Sequence, residues 1–212
     1  MTETAMMDFA EAQSKLVAVA HDAYAHGWVP ATSGNFSARL ANGDIAITVS
    51  GKDKGRLSCD DIMRVTLDGT PKGPLQPSAE TLLHTRIYQR DGDINAVLHT
   101  HSLNATIASQ TSPQRLRFQG LEILKAFTGI KTHTASIAIP IFENQQDIVA
   151  LADKVERYMC THGQGLAYLI AGHGLYTWGA DVDEGMRHLE ALEYLFEYDR
   201  LARTDPARSG KQ

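Results

Sequence analysis

Ala96-Val-Leu-His-Thr-His101 carries two imidazoles two residues apart at the end of an apolar run. In an extended chain such residues project to the same side, so His99 and His101 share one rigid edge. Two nitrogen ligands on one strand are half of a tetrahedral zinc site, although the same pattern also occurs as solvated histidines at a strand end. His173 changes that balance. It lies between Gly172 and Gly174, after the apolar run 166–171, where bare backbone permits close approach and an unusual turn. Three neutral imidazoles with one open position form the pattern of a catalytic zinc site, not a closed structural one. The other six histidines are weaker candidates. His21, His26, His84 and His188 read as helix surfaces or ends, His133 and His162 as loop residues, with His133 a reserve ligand.

Three turns invite an anion. Thr32-Ser33-Gly34-Asn35, Ser50-Gly51-Lys52 and Pro77-Ser78 each offer backbone N–H groups and hydroxyls, and Ser78 is placed to open a helix whose N-terminus attracts negative charge. Each alone reads as an ordinary loop; the three beside a metal candidate point to a phosphate. Two carboxylates could move protons. Glu80 follows Ser78 in the first turn of that helix, where it also complements the helix dipole. Glu122, within Phe118-Gln-Gly-Leu-Glu-Ile-Leu124, has apolar neighbours that would raise its pKa and suit it to proton transfer. The alternative for Glu122 is a polar position on an otherwise apolar helix.

The elements that must position these groups follow from periodicity and turn chemistry. Helices are expected over 9–26, 78–90, 102–110, 145–159 and 181–203, the last opened by Asp181 and Glu184 in capping-box spacing. Strands are expected over 36–40, 45–49, 62–67, 96–101, 136–141, 166–171 and 175–178, with Asn42-Gly43 turning the first hairpin. Residues 111–131 match no period, and a frayed tail is expected from 204. Mixed helices and hairpins without repeat or linker imply one domain, a central mixed sheet with helices on both faces.

At 212 residues the chain can bury a sizeable core, and 43% hydrophobic with 21% charged residues is ordinary globular composition. A net charge of -5 argues against nucleic acid as partner. Cys59 and Cys160 stand far apart, which suits a reducing compartment without a disulfide framework. Met1 to Glu11 lacks the basic and apolar regions of a secretory signal, and no apolar run is long enough for a membrane helix. The expected setting is the cytoplasm.

The order Ser33-Gly-Asn-Phe-Ser37, Ser50-Gly51, Pro77-Ser-Ala-Glu80, His99-Thr-His101, Gly172-His-Gly174 resembles the class II aldolase/adducin family over almost the whole chain. Pro77 to His84, Gly120-Leu-Glu-Ile-Leu-Lys125 and Gly172 to Gly179 make it most similar to the sugar-phosphate dehydratases of that family. The resemblance implies a three-layer αβα sandwich with a largely antiparallel central sheet. It implies one Zn2+ per subunit on His99, His101 and His173, and a substrate phosphate held by Ser33, Gly34, Asn35, Ser50, Gly51 and Ser78. The implied reaction is loss of water from a phosphorylated keto-sugar in methionine salvage, in a homotetramer with sites between subunits. The acid/base carboxylate of the dehydratases matches Glu122, that of the aldolases Glu80, and this chain has both. A sugar-phosphate aldolase or 4-epimerase is the alternative within the family. A metal-free interaction module like the adducin head is the alternative outside enzymes, and three converging imidazoles argue against it.

Overall fold

The computed structural model describes residues 7–112 and 114–204. Eight strands, β1 (Asn35–Arg39), β2 (Ile45–Thr48), β3 (Ile62–Val65), β4 (Ala96–Thr100), β5 (Arg115–Gln119), β6 (Ser136–Phe142), β7 (Ala167–Ile170) and β8 (Gly174–Gly179), form one sheet. Their order is β3-β2-β1-β4-β8-β7-β6-β5, antiparallel throughout except for the parallel β6–β7 pair. Among the described residues five helices cover it: α1 (Phe9–Ala25), α2 (Thr81–Arg90), α3 (Leu103–Ala108), α4 (Ile148–His162) and α5 (Val182–Thr204).

Alternation along the strands divides the interior into two cores, because successive side chains leave opposite faces. Phe36, Ala38, Leu98, Leu169 and Leu175 pack with Leu16 of α1 and Leu192, Leu195 and Phe196 of α5. Ile45, Ile47, Val97, Tyr168 and Tyr176 pack on the other face with Leu83 and Ile87 of α2 and Leu151 and Val155 of α4. Burying a side chain such as Leu192 contributes roughly 1.5–3 kcal/mol, so these two layers fix the frame of β4 and β8.

The differences from sequence expectation have local causes. Asn42-Gly43 does turn the β1–β2 hairpin, but through a five-residue connection. Gly43 N donates to Leu40 O (2.9 Å), Leu40 N donates to Asp44 O (2.8 Å), and only Gly43 of the pair takes positive φ. Leu40 therefore belongs to the turn. α4 starts later than expected because Asp147 caps it, accepting from Ala150 N at 3.0 Å, and it ends only at Gly163. The uncharted stretch 111–131 contains β5 and a 3-10 turn, Glu122–Ala126. α5 opens with Asp181 accepting from Glu184 N (2.7 Å), while the Glu184 carboxylate reaches back to Ala180 N instead of Asp181 N. Thr204 is still helical, and the rest of the expected frayed tail, 205–212, lies outside the described residues.

Candidate metal centre and anion cavity

β4 and β8 are neighbours, and one end of their pairing, where Thr100 faces Leu175, carries the site residues. His99 pairs with Tyr176 across the two strands and its ring stacks on Tyr176, centroids 3.9 Å apart. The His99 Nδ1–H donates to Leu175 O at 2.8 Å, which leaves Nε2 as a lone pair directed away from the sheet. His101 follows just beyond the strand. His173 occupies the turn between β7 and β8, where Gly172 takes φ 63 and a Cβ on Gly174 would fall 2.0 Å from Thr100 O. The glycines thus let the turn press against β4 and bring the third imidazole onto the other two.

The Nε2 of His101 lies 2.8 Å from that of His99 and 3.0 Å from that of His173. Glu80 Oε1 lies 2.9 Å from His173 Nε2 and 3.5 Å from His99 Nε2. These four donor atoms all fall within 4.8 Å of one another. A tetrahedral zinc with bonds of about 2.0–2.1 Å spaces its ligands about 3.3–3.4 Å apart, so the group needs only slight expansion to hold a cation. Burial first, then the charges of His99 and His173, push the His101 pKa down to about 3, which keeps a lone pair free for a metal. Burial raises the pKa of Glu80, but the adjoining imidazoles of His173 and His99 outweigh it and hold the carboxyl well below its ordinary range.

Ser78 does not cap α2 directly. Its hydroxyl accepts from Glu80 N (3.2 Å), and a short turn separates it from the first helical residue, Thr81, so Glu80 sits at the cap position instead of within the first turn. That places the carboxylate over the histidines. Ser33, Gly34, Asn35, Ser50, Gly51 and Ser78, the six anion candidates, line one cavity of about 230 Å³, with Glu80 and His101 also in its wall. Gly34 is required there: at φ 74, its Cβ would meet His99 O at 2.7 Å. A larger cleft of about 490 Å³ beside Arg115 and Arg117 contains none of these groups.

Glu122 is not in this chain's metal group. Its side chain is 71% exposed and paired with Lys125 and, at 3.8 Å, with His133. The lysine hydrogen bond lowers its pKa against a small opposing effect of burial, contrary to the elevation expected from apolar neighbours. The 3-10 turn sends Leu124 into the core while Glu122 faces outward. His133 is drawn to the same exposed pair and does not join the metal group.

Two site residues were missed in the sequence. His84 is fully buried, not on a helix surface, and lies on a hydrogen-bond chain leading to the metal group. Asn35 Nδ2 donates to Glu80 Oε2 (2.9 Å), so the His84 Nε2–H donates to Asn35 Oδ1, and the Ser37 hydroxyl donates to His84 Nδ1 at 2.7 Å. Burial, followed by the charge of His99, pushes His84 down to about 3. Its four-residue spacing from Glu80 was the available signal. Lys54 is also fully buried, and burial lowers its pKa while Asp53 and Glu80 oppose the shift. Nothing in its local sequence distinguishes it from the exposed Lys52. His188 is likewise buried, bonded to Trp178 O at 2.8 Å, and serves the α5 packing.

The Class II Aldolase and Adducin N-terminal domain family matches residues 14–199, and this chain belongs to that family. A methylthioribulose-1-phosphate dehydratase of Methylococcus capsulatus is 54% identical over 82% of this chain and 85% of its own length. One from Pseudomonas fluorescens is 48% identical over 88% of this chain and 91% of its own. The crystal structure of l-fuculose-1-phosphate aldolase from Thermus thermophilus superposes with a TM-score of 0.71 at 26% identity, covering 93% of this chain and 99% of that one.

Proposed function

We propose that the chain dehydrates 5-methylthioribulose 1-phosphate to 5-methylthio-2,3-dioxopentyl phosphate and water, as in methionine salvage, with one Zn2+ per subunit on His99, His101 and His173. The observation that carries the reading is that the anion cavity and the metal group share Glu80 and His101 as walls, so a phosphate in one places a nearby carbonyl at the other. The similarity to dehydratases at 48–54% identity selects this substrate from the sugar phosphates.

A divalent cation bound by the three imidazoles supplies Lewis-acid polarisation of the C2 ketone and its C3 neighbour. Ser33, Ser50, Ser78 and the backbone of Gly34 and Gly51 hold the phosphate, fixing the C2–C3 unit against the histidines. The C3 proton then leaves to a carboxylate, the C4 hydroxyl departs as water with a proton from an acid, and ketonisation at C3 gives the diketone. Glu80 is within the same chain's site for one of these transfers. Glu122, exposed and outside the group, serves the site of a neighbouring subunit in a homotetramer. Two exposed free cysteines suit a cytoplasmic, reducing setting.

A second reading is favoured by one observation: Glu80, the carboxylate that matches the family's aldolases, is the one facing the histidines. NMR of the reaction mixture separates the two. Dehydration gives the diketone phosphate alone, whereas aldol cleavage of C3–C4 gives dihydroxyacetone phosphate and would move the chain to the aldolases.

A further inference from the structure

Lys54 opens the 3-10 turn Lys54–Arg56 and is 1% exposed. Its Nζ donates to Thr32 O at 3.2 Å and to Lys52 O at 2.8 Å. Those carbonyls belong to the two loops that contribute Thr32–Asn35 and Ser50–Gly51 to the anion cavity, so the amine sits where the loops meet. Two of its three N–H groups are used.

Its charge has no close partner. Among the described residues no carboxylate forms an ion pair with it; Asp53 and Glu80 act on it only from further away. Asp53 is turned to Gly55 N (2.9 Å) and towards Arg56. A buried ammonium without a paired anion is costly, and a fold that keeps one in place has an anion to offer it. Lys52, the cation nearest the Ser50-Gly51 turn in sequence, is instead 57% exposed and bound to Asp61 at 3.1 Å. Among the described residues no lysine or arginine lines the cavity, while Glu80 adds negative charge to its wall. The Ser33 hydroxyl in the same wall is buried without a hydrogen-bond partner.

We propose that Lys54 is the buried counter-charge for the substrate's phosphate, attracting it through the field from behind the two loops and selecting phosphorylated from unphosphorylated sugars. This rests on the reading of the ligand as a sugar phosphate. Lys54→Gln separates charge from scaffolding, since glutamine still donates to the loop carbonyls but carries no charge.

Calorimetric titration of the zinc-loaded protein with inorganic phosphate, together with steady-state kinetics on 5-methylthioribulose 1-phosphate, tests it. In Lys54→Gln the phosphate Kd and the KM should each rise about 30-fold or more, as when one partner of a buried charge pair is removed, with bound zinc unchanged. Should Lys54→Gln fail to fold, Lys54→Met carries the same expectation, because it removes a buried charge and fills the same space. Phosphate affinity and KM within about threefold of the native protein's would reduce Lys54 to a structural tie and overturn the proposal. A native protein that neither binds phosphate nor turns over the sugar phosphate would overturn the functional reading itself.

Discussion

His99, His101 and His173 show what single residues can disclose. The first two were legible because a strand's period of two needs no tertiary information, and the third because its flanking glycines mark a turn that must approach another backbone. His173→Ala should weaken zinc by more than the roughly 10–100-fold cost of losing an outer-shell partner, measured by chelator competition. Retention at native affinity would remove it from the ligand set. Burial is what the sequence concealed: His84 and Lys54 look like ordinary polar positions until α2 and the two anion loops close over them. Glu122 misled in the opposite sense, since its apolar neighbours in sequence turn inward while it turns out. If Glu122 nevertheless carries the acid/base role in the assembled protein, Glu122→Gln should lower kcat about 10²–10⁴-fold, some 3–5 kcal/mol of barrier, with KM and zinc content little changed. Should Glu80→Gln prove the more damaging change, the role belongs to Glu80 and the site works as in the aldolases.

At the scale of elements, the helices and strands were legible where periodicity ran long, and their ends were not. α4 and α2 both begin later than their apolar patterns suggest, because Asp147 and the Ser78–Glu80 turn set the starts. α5, expected over 181–203, runs from Val182 to Thr204, one residue off at each end, but nothing in it signals Glu193, a carboxyl 3% exposed on the helix face packed against α3. Neither of its oxygens has a hydrogen-bond partner of normal length. Burial raises its pKa to about 7, helped by the charge of Glu197 and opposed by the Ser102 hydroxyl in the neighbouring cap. The unfolded carboxyl titrates near 4.5, so below that pH both states hold the proton and nothing is lost. As pH rises from 4.5 through 7 the unfolded chain releases its proton first, and the fold loses up to roughly 3 kcal/mol. Glu193→Gln should therefore gain melting temperature relative to the native protein between pH 5.5 and pH 8.5. A gap between the two proteins that does not widen with pH would show that the carboxyl is not held neutral.

At the scale of the whole molecule, the division into two cores was visible in the mixture of amphipathic helices and apolar strands, and the single parallel pair, β6–β7, was not. Pairing direction depends on the α4 crossover and the β5–β6 hairpin, which no local pattern records. Assembly lies beyond the single chain. Light scattering should report a particle four times 23.2 kDa, and a monomer at working concentration would leave Glu122 without a metal to serve.

The contact between Gly34 and the His99 carbonyl has a consequence for size selection. Asn35 pairs with His99 in register between β1 and β4, so the anion loop and the metal group are joined through adjoining backbone, not through flexible side chains. With a phosphate in the cavity and a cation on the histidines, as proposed, the span between them would be a fixed ruler for the bonds that separate one end of a substrate from its carbonyl. A ketose bearing its phosphate on the first carbon would then meet both marks. An isomer phosphorylated at the far end would reach only one of them at a time, and should show a much higher KM.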